Sequence, residues 1–266
     1  MQLFPQSDEH TDTVFSKPYM SFTGAVPVWD YLPKQEPTMN TMHDEENLIL
    51  FNTQGVMTVH PKNAGVKLTP SHSGPFHRHP KYLISHYTAG GSYLGAVRHF
   101  LNQKKPRSSA HFVIGRKGEI VQMLSLHSIG WHAGRSEWKD PHTGEHLIGM
   151  NQHSIGLEFA NYGFLKRRMT STGIDYLTDY DTKYTGPEPI NARAHGQDYW
   201  EPYTPRQIEA GLLVAQSIDN YFNGGIIDVL NHSDIAPNRK SDAGPAFPIQ
   251  RFRAAIDDRA SMQGLS

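Results

Sequence analysis

The densest run of chemically capable side chains in this sequence is Asn231-His232-Ser233-Asp234-Ile235-Ala236-Pro237-Asn238-Arg239-Lys240-Ser241-Asp242-Ala243-Gly244-Pro245. It offers one imidazole and two carboxylates, and it follows the β-rich run Ile226-Ile227-Asp228-Val229-Leu230, so it reads as a loop at a strand's end. His86 closes a second β-rich run, residues 82–88. Two imidazoles and one carboxylate can make a zinc site whose fourth position is left for water. The chain has 16 histidines and no cysteine. Any such site must therefore use nitrogen and oxygen donors. Cysteine nucleophiles, thiolate metal sites and disulfide scaffolds are excluded. Taken alone, His232 reads as a structural or surface residue of an Asx-rich turn.

Composition narrows the rest. Lys and Arg number 25 against 26 Asp and Glu, a formal charge of −1 with histidine neutral. General nucleic-acid and membrane-surface binders need a basic excess, so neither partner is expected. No stretch approaches 18 apolar residues, which argues against a membrane span. Residues 1–10 are acidic, without the positive start and apolar core of a secretory signal. The expectation is synthesis in a cytoplasm, followed by retention there or by release to the cell wall or periplasm through lysis or dedicated delivery. Phosphate-loop, dinucleotide, α/β-hydrolase and zincin signatures are all missing.

The elements that must position these residues follow from periodicity. Residues 47–58 suggest one or two short strands. Residues 82–88 form a strand ended by Ala89-Gly90-Gly91, and Leu94, Val97, Phe100 and Leu101 then fall at helical spacing. Residues 111–114 and 119–124 read as a hairpin around Gly115-Arg116-Lys117-Gly118, and 154–162 as another strand. Thr204-Pro205-Arg206-Gln207 is a capping box with proline at the first helical position. Ile208, Leu212, Ala215 and Phe222 continue it as an apolar stripe, stopped by Gly224-Gly225. Residues 226–230 make a strand, and Pro248 opens a last helix with Ile249, Phe252 and Ile256. Residues 164–203 are polar, lack a period and read as a long inserted loop. The expected fold is α/β: a single mixed domain over 46–258, with a central sheet flanked by helices. An N-terminal arm over 1–45 packs on it, and a short tail spans 259–266.

Five segments occur in an order that carries a resemblance. They are Leu83-Ile84-Ser85-His86-Tyr87-Thr88, Ser109-Ala110-His111-Phe112-Val113-Ile114, Gly130-Trp131-His132-Ala133-Gly134, Ser154-Ile155-Gly156-Leu157-Glu158 and the 232–242 run. Together, over about residues 80–257, they resemble the zinc-dependent N-acetylmuramoyl-L-alanine amidases. That family is similar in fold to phage amidase lysozymes and peptidoglycan recognition proteins. The resemblance implies one Zn2+ per chain held by His86, His232 and Asp242. It matches Glu158 to the family's catalytic strand carboxylate and Lys240 to the lysine two residues before the last ligand. Some relatives carry Cys at the third ligand position; this chain has Asp. The family's Trp-His-Ala-Gly segment lines the cleft, so Trp131 and His132, with Arg239, are expected to touch substrate, the alternative for His132 being packing or support of a ligand.

The implied activity is peptidoglycan hydrolysis at the amide between N-acetylmuramic acid and L-alanine, by a zinc-activated water, on wall or muropeptide. Two alternatives share the fold: a non-catalytic peptidoglycan binder, which tends to lose the metal set, and a zinc peptidase acting within the stem peptide. The remaining histidines need no such role. His111 reads as a core residue, and His77-Arg78-His79 as a polar loop. His99, His127, His142, His146, His153 and His195 read as surface residues. Asn231-His232-Ser233 is formally a glycosylation acceptor, but a glycan there would block the cleft, which fits a bacterial or phage product. Tyr176, Tyr180, Tyr184, Tyr199 and Trp200 of the insertion either wall the cleft or cover the body. No wall-binding module of the usual kind is expected after the catalytic domain.

Overall fold

The computed structural model describes residues 48–103, 108–141 and 143–257. The arm over 1–45, the tail over 259–266 and His142 lie outside them. In chain order the strands begin with β1 (Leu50–Phe51) and β2 (Met57–Val59), an antiparallel pair, and β3 (Ala64–Val66). Next come β4 (Tyr82–Tyr87), α1 (Tyr93–Leu101), β5 (Phe112–Ile114) and β6 (Ile120–Gln122). A hairpin of β7 (Glu137–Lys139) and β8 (His146–Ile148) precedes β9 (Ser154–Phe159). β1, β2, β4, α1, the β5–β6 hairpin and β9 match the elements that periodicity predicts, with ends shifted by a few residues, whereas β3, β7 and β8 are not among them.

A six-stranded sheet orders them β14-β4-β9-β5-β6-β3, where β14 is Asp228–Asn231. The strands β14, β4, β9 and β5 run parallel, β6 turns back against β5, and β3 is parallel to β6. Parallel strands are covered on both faces and read as near-continuous apolar runs. That is why β4 and β9 are buried almost throughout. On one face, α2 (Pro205–Tyr221) and α4 (Ile249–Asp257) pack Ile208, Val214, Ile218 and Phe252 against Leu83, Ile155, Leu157 and Phe159. Burying each such side chain stabilises by roughly 1.5–3 kcal/mol. A Cβ at Gly211 would fall within 2.9 Å of Phe159 and Phe252, so glycine sets how closely α2 approaches the sheet. The opposite face buries Tyr82, Ile84 and Leu230 under Ala133, Leu147, Met150 and Ile235.

The start of α2 departs from the sequence expectation in one detail. Thr204 caps it as predicted, its Oγ1 accepting from Gln207 N–H at 3.2 Å. Gln207 does not reach back to complete the box. Its buried Nε2 donates instead to the carbonyls of Ile114 and Ala160, tying the helix to the sheet.

Residues 164–203 are a correction. They hold a second, four-stranded antiparallel sheet, β11-β10-β13-β12, built from β10 (Phe164–Thr170), β11 (Gly173–Leu177), β12 (Ile190–Ala194) and β13 (Gln197–Trp200). Its root is buried through Leu165, Leu177, Tyr184 and Trp200, while Met169, Ile174 and Tyr180 are exposed. Glu201, at the root, forms a bidentate ion pair with Arg116 and also accepts from Tyr162 N–H.

Candidate metal centre

The site lies at the carboxyl ends of β4, β9 and β14, where open α/β sheets place their ligands. His86 is the fifth residue of β4, on the same face as Tyr82 and Ile84, and Glu158 sits directly beside it in register on β9. His232 follows β14 immediately and opens the short helix α3 (His232–Ile235). Asn231 and Asp234 form that helix's capping box, with Asp234 Oδ2 accepting from Asn231 N–H at 2.8 Å. The two carboxylates of the loop are thereby divided. Asp234 is exposed and serves the helix, whereas Asp242 is buried and turns inward.

Three atoms converge. His86 Nδ1 is 2.9 Å from His232 Nδ1 and 3.0 Å from Asp242 Oδ2, and His232 Nδ1 is 2.9 Å from the same oxygen. Ser233 N–H donates to Asp242 C=O at 2.7 Å, drawing the two ends of the 232–242 loop together. The flanks of Asp242 are pinned as well. Ser241 Oγ is 2.6 Å from Tyr87 Oη, and Ala243 C=O accepts from Tyr203 Oη at 2.8 Å. Tyr87 and Tyr203 are positioning residues that sequence reasoning missed, although Tyr87 is the immediate neighbour of His86.

The electrostatics favour a neutral imidazole. Burial, then the neighbouring His232, lowers the pKa of His86 to about 4, with Asp242 opposing. Its Nε2 lies 3.1 Å from His132 Nδ1, and His232 Nε2 lies 3.1 Å from Ala133 C=O. The protons on these outer nitrogens leave both Nδ1 lone pairs facing a carboxylate oxygen. Three acceptors at such separations, buried together, suit a small divalent cation. His86, His232 and Asp242 can therefore hold a metal ion.

Glu158 is half-buried, and its Oε2 is covered without a hydrogen-bond partner. Burial, then the charge of Asp242, pushes its pKa up to about 8, while Lys240 pulls it down. Lys240 is itself half-buried, and its charge acts on both Glu158 and His86.

The residues expected to touch substrate separate. Trp131 is 39 % exposed and remains at the surface. Arg239 is exposed, and its Nη2 donates to the carbonyls of Ala133 and Arg135 at 2.8 Å each. His132 is buried behind His86, its ring perpendicular to that of the ligand at 5.2 Å between centroids, so the expected substrate contact gives way to a contact with the ligand. His111 is fully buried, its Nδ1 accepting from Gly156 N–H and its Nε2 donating to Ser128 C=O, the core role predicted for it. His77, Arg78, His79, His99, His146 and His195 are exposed, as expected. His127 and His153 are half-buried, and His127 Nε2 meets Tyr221 Oη at 2.7 Å.

A profile of the N-acetylmuramoyl-L-alanine amidase family matches residues 76–245. The chain belongs to this amidase family. The matched stretch holds His86, Glu158, His232, Lys240 and Asp242 together. The chain is 28 % identical over 179 residues to the N-acetylmuramoyl-L-alanine amidase AmiD of Escherichia coli K12, covering 65 % of this chain and 51 % of AmiD. It is 30 % identical over 148 residues to the 1,6-anhydro-N-acetylmuramyl-L-alanine amidase AmpD of Enterobacter cloacae, covering 56 % of this chain and 57 % of AmpD. The aligned chain thus spans a little over half the length of these relatives. A solved structure of a selenomethionine AmpD derivative superposes with a TM-score of 0.53 at 22 % identity, covering 77 % of this chain and 98 % of that one. It shows the shared amidase fold, including a mixed sheet flanked by helices. Among the described residues, no helix is long and apolar enough to cross a membrane.

Proposed function

We propose that this amidase-family chain hydrolyses the amide joining the lactyl group of N-acetylmuramic acid to L-alanine of the stem peptide, using one zinc ion. The observation that carries the reading is the buried His86, His232 and Asp242 set beside Glu158, inside the stretch matched to the family. A zinc ion bound by two neutral imidazoles and one carboxylate polarises a carbonyl and brings a water's pKa to near 7.

The chain's own groups supply the rest. Glu158 Oε2, free of other hydrogen bonds, is placed to take a proton from the attacking water and return it to the departing L-alanine nitrogen. Lys240 stands two residues from a fixed ligand and stabilises the oxygen on which negative charge develops. Trp131 and Arg239 lie at the surface around the ligands, where the muropeptide would rest. Arg239 also borders a cavity of about 350 Å3 lined by Arg135 and Ile148. The AmpD relatives are named for anhydro-muropeptides, so a soluble fragment and the polymeric wall are both tested.

Incubation with intact sacculi and with soluble muropeptides, with products identified by mass, tests the reading. Whole stem peptides with a free L-alanine amino group are expected. Stems cut internally would make the chain a peptidase, and substrate bound but unchanged would make it a binding protein.

A further inference from the structure

We propose that His132 and Ala133, held in place by Asn151, form a cradle that fixes the proton and the direction of both histidine ligands. Asn151 and His132 are thus positioning residues for the metal. The inference rests on the zinc reading above and adds residues that act through His86 and His232.

The hydrogen-bond chain has one consistent direction. Ser154 C=O can only accept, so His132, with Nε2 at 3.3 Å from it, carries its proton there. The ring is buried, with that carbonyl at one nitrogen and the His86 imidazole at the other. His132 Nδ1 is then an acceptor, and His86 Nε2 at 3.1 Å must donate to it. One residue further on, Ala133 C=O accepts from His232 Nε2 at 3.1 Å and from Arg239 Nη2 at 2.8 Å. Two consecutive residues therefore supply the outer acceptor for each histidine, leaving both Nδ1 atoms bare toward Asp242. A metal-bound histidine is usually oriented by such a partner. Here one short segment serves two ligands that lie 146 residues apart.

Asn151 is what makes the segment rigid. Its Oδ1 accepts from His132 N–H at 3.0 Å and from Ala133 N–H at 2.7 Å. Ser109 clamps the preceding residue, accepting from Trp131 N–H at 2.9 Å and donating to Trp131 C=O at 3.2 Å. Gly156 of β9 lies flat against the His132 ring, where a Cβ would come within 2.5 Å. On the other side of the cradle, Gly134 takes φ +57° and its vacant Cβ position is 3.3 Å from the Arg239 guanidinium.

Zinc affinity of the full chain, measured by competition with a chromophoric chelator at fixed pH, tests this without reference to hydrolysis. His132→Phe keeps a ring against Gly156 but removes the acceptor, and Asn151→Ala removes the clamp. Both are expected to weaken zinc binding by about 10–100-fold. His132→Asn carries an oxygen acceptor close to the former Nδ1, and Asn151→Asp retains the double acceptor, so both should recover most of the affinity. Equal affinity of wild type, His132→Phe and Asn151→Ala would overturn the cradle, as would an equal loss in the acceptor-retaining variants. If His132→Phe does not fold, judged by metal-free melting, Asn151→Ala against Asn151→Asp decides. A wild-type chain that takes up no zinc would overturn the metal reading itself, an outcome distinct from the others.

Discussion

The two sheets of this protein use the same side-chain chemistry in opposite settings. In the six-stranded sheet, β4 and β9 are buried almost throughout, and Glu158 Oε2 is buried there without a hydrogen-bond partner. In the four-stranded sheet, the charged residues face water. Lys166 meets Asp179 and Asp181, Asp175 meets Arg168 and Lys183, and Arg193 meets Asp198. Exposed pairs of this kind are screened and contribute little. The contrast is sharpest between two arginine–carboxylate pairs. Arg116–Glu201, at the root, has a carboxylate with no exposed surface, whereas Arg193–Asp198, at the rim, has a guanidinium side chain 81 % exposed. Burial pushes the Glu201 carboxyl up, and Tyr162 N–H and Arg116 bring it only part of the way back. The difference teaches that the count of ion pairs says little, and that the surroundings of each decide its weight.

The largest effect is expected at the buried ligands. Asp242→Ala should reduce bound zinc from about one per chain to a trace in elemental analysis and take hydrolysis to background. Undiminished zinc would remove Asp242 from the ligand set. Next, Glu158→Gln should leave zinc bound while lowering turnover by about 10²–10⁴-fold. A normal rate would place the proton transfer elsewhere.

Third, Arg116→Ala leaves the buried Glu201 carboxylate without its charge partner and should cost about 3 kcal/mol in denaturant unfolding. Arg193→Ala should leave the midpoint unchanged within error. Similar shifts for the two would erase the distinction between root and rim.

The smallest effect is a slope with pH, read as Tm of the zinc-free protein. His86 and His111 are lowered to about 4 by burial, so their stabilisation is present above about pH 6.5 and lost as pH falls through 4. Glu158, raised to about 8 by burial, contributes stability that is complete below about pH 4.5 and lost as pH rises through 8. Two histidines outweigh one carboxyl up to pH 6.5, so Tm should climb from pH 4 to 6.5, then decline to about 8 and level off. Glu158→Gln should flatten the decline above pH 6.5 and steepen the climb below it, and an unchanged decline would show that it has another source.

The core sheet was legible in the sequence because its strands are short apolar runs ended by glycine or by the site itself. The site residues were legible through the family resemblance, which brought His86, Glu158 and the 232–242 run into one pattern. The second sheet was not legible. Phe164-Leu165-Lys166-Arg167-Arg168-Met169-Thr170 has little buried surface on either face, so it shows no alternation to read. For His132 the sequence left substrate contact and a supporting role side by side. Its segment resembles a cleft lining, but its side chain faces inward, and the clue was Gly156, a strand glycine that marks close approach by another group. Asn151 had no signal of its own, since its importance lies in two backbone amides far along the chain.

The wide spacing of the ligands has a consequence for how the protein comes into being. His86 pairs in space with residues 146 and 156 positions later. Closing loops of this length must precede the contacts that reward it, and such topologies fold slowly. In a chain emerging from the ribosome, His86 and Glu158 appear well before β14 and Asp242. A partly synthesised chain therefore lacks a closed ligand set, and its capacity to act should be acquired at a single late step.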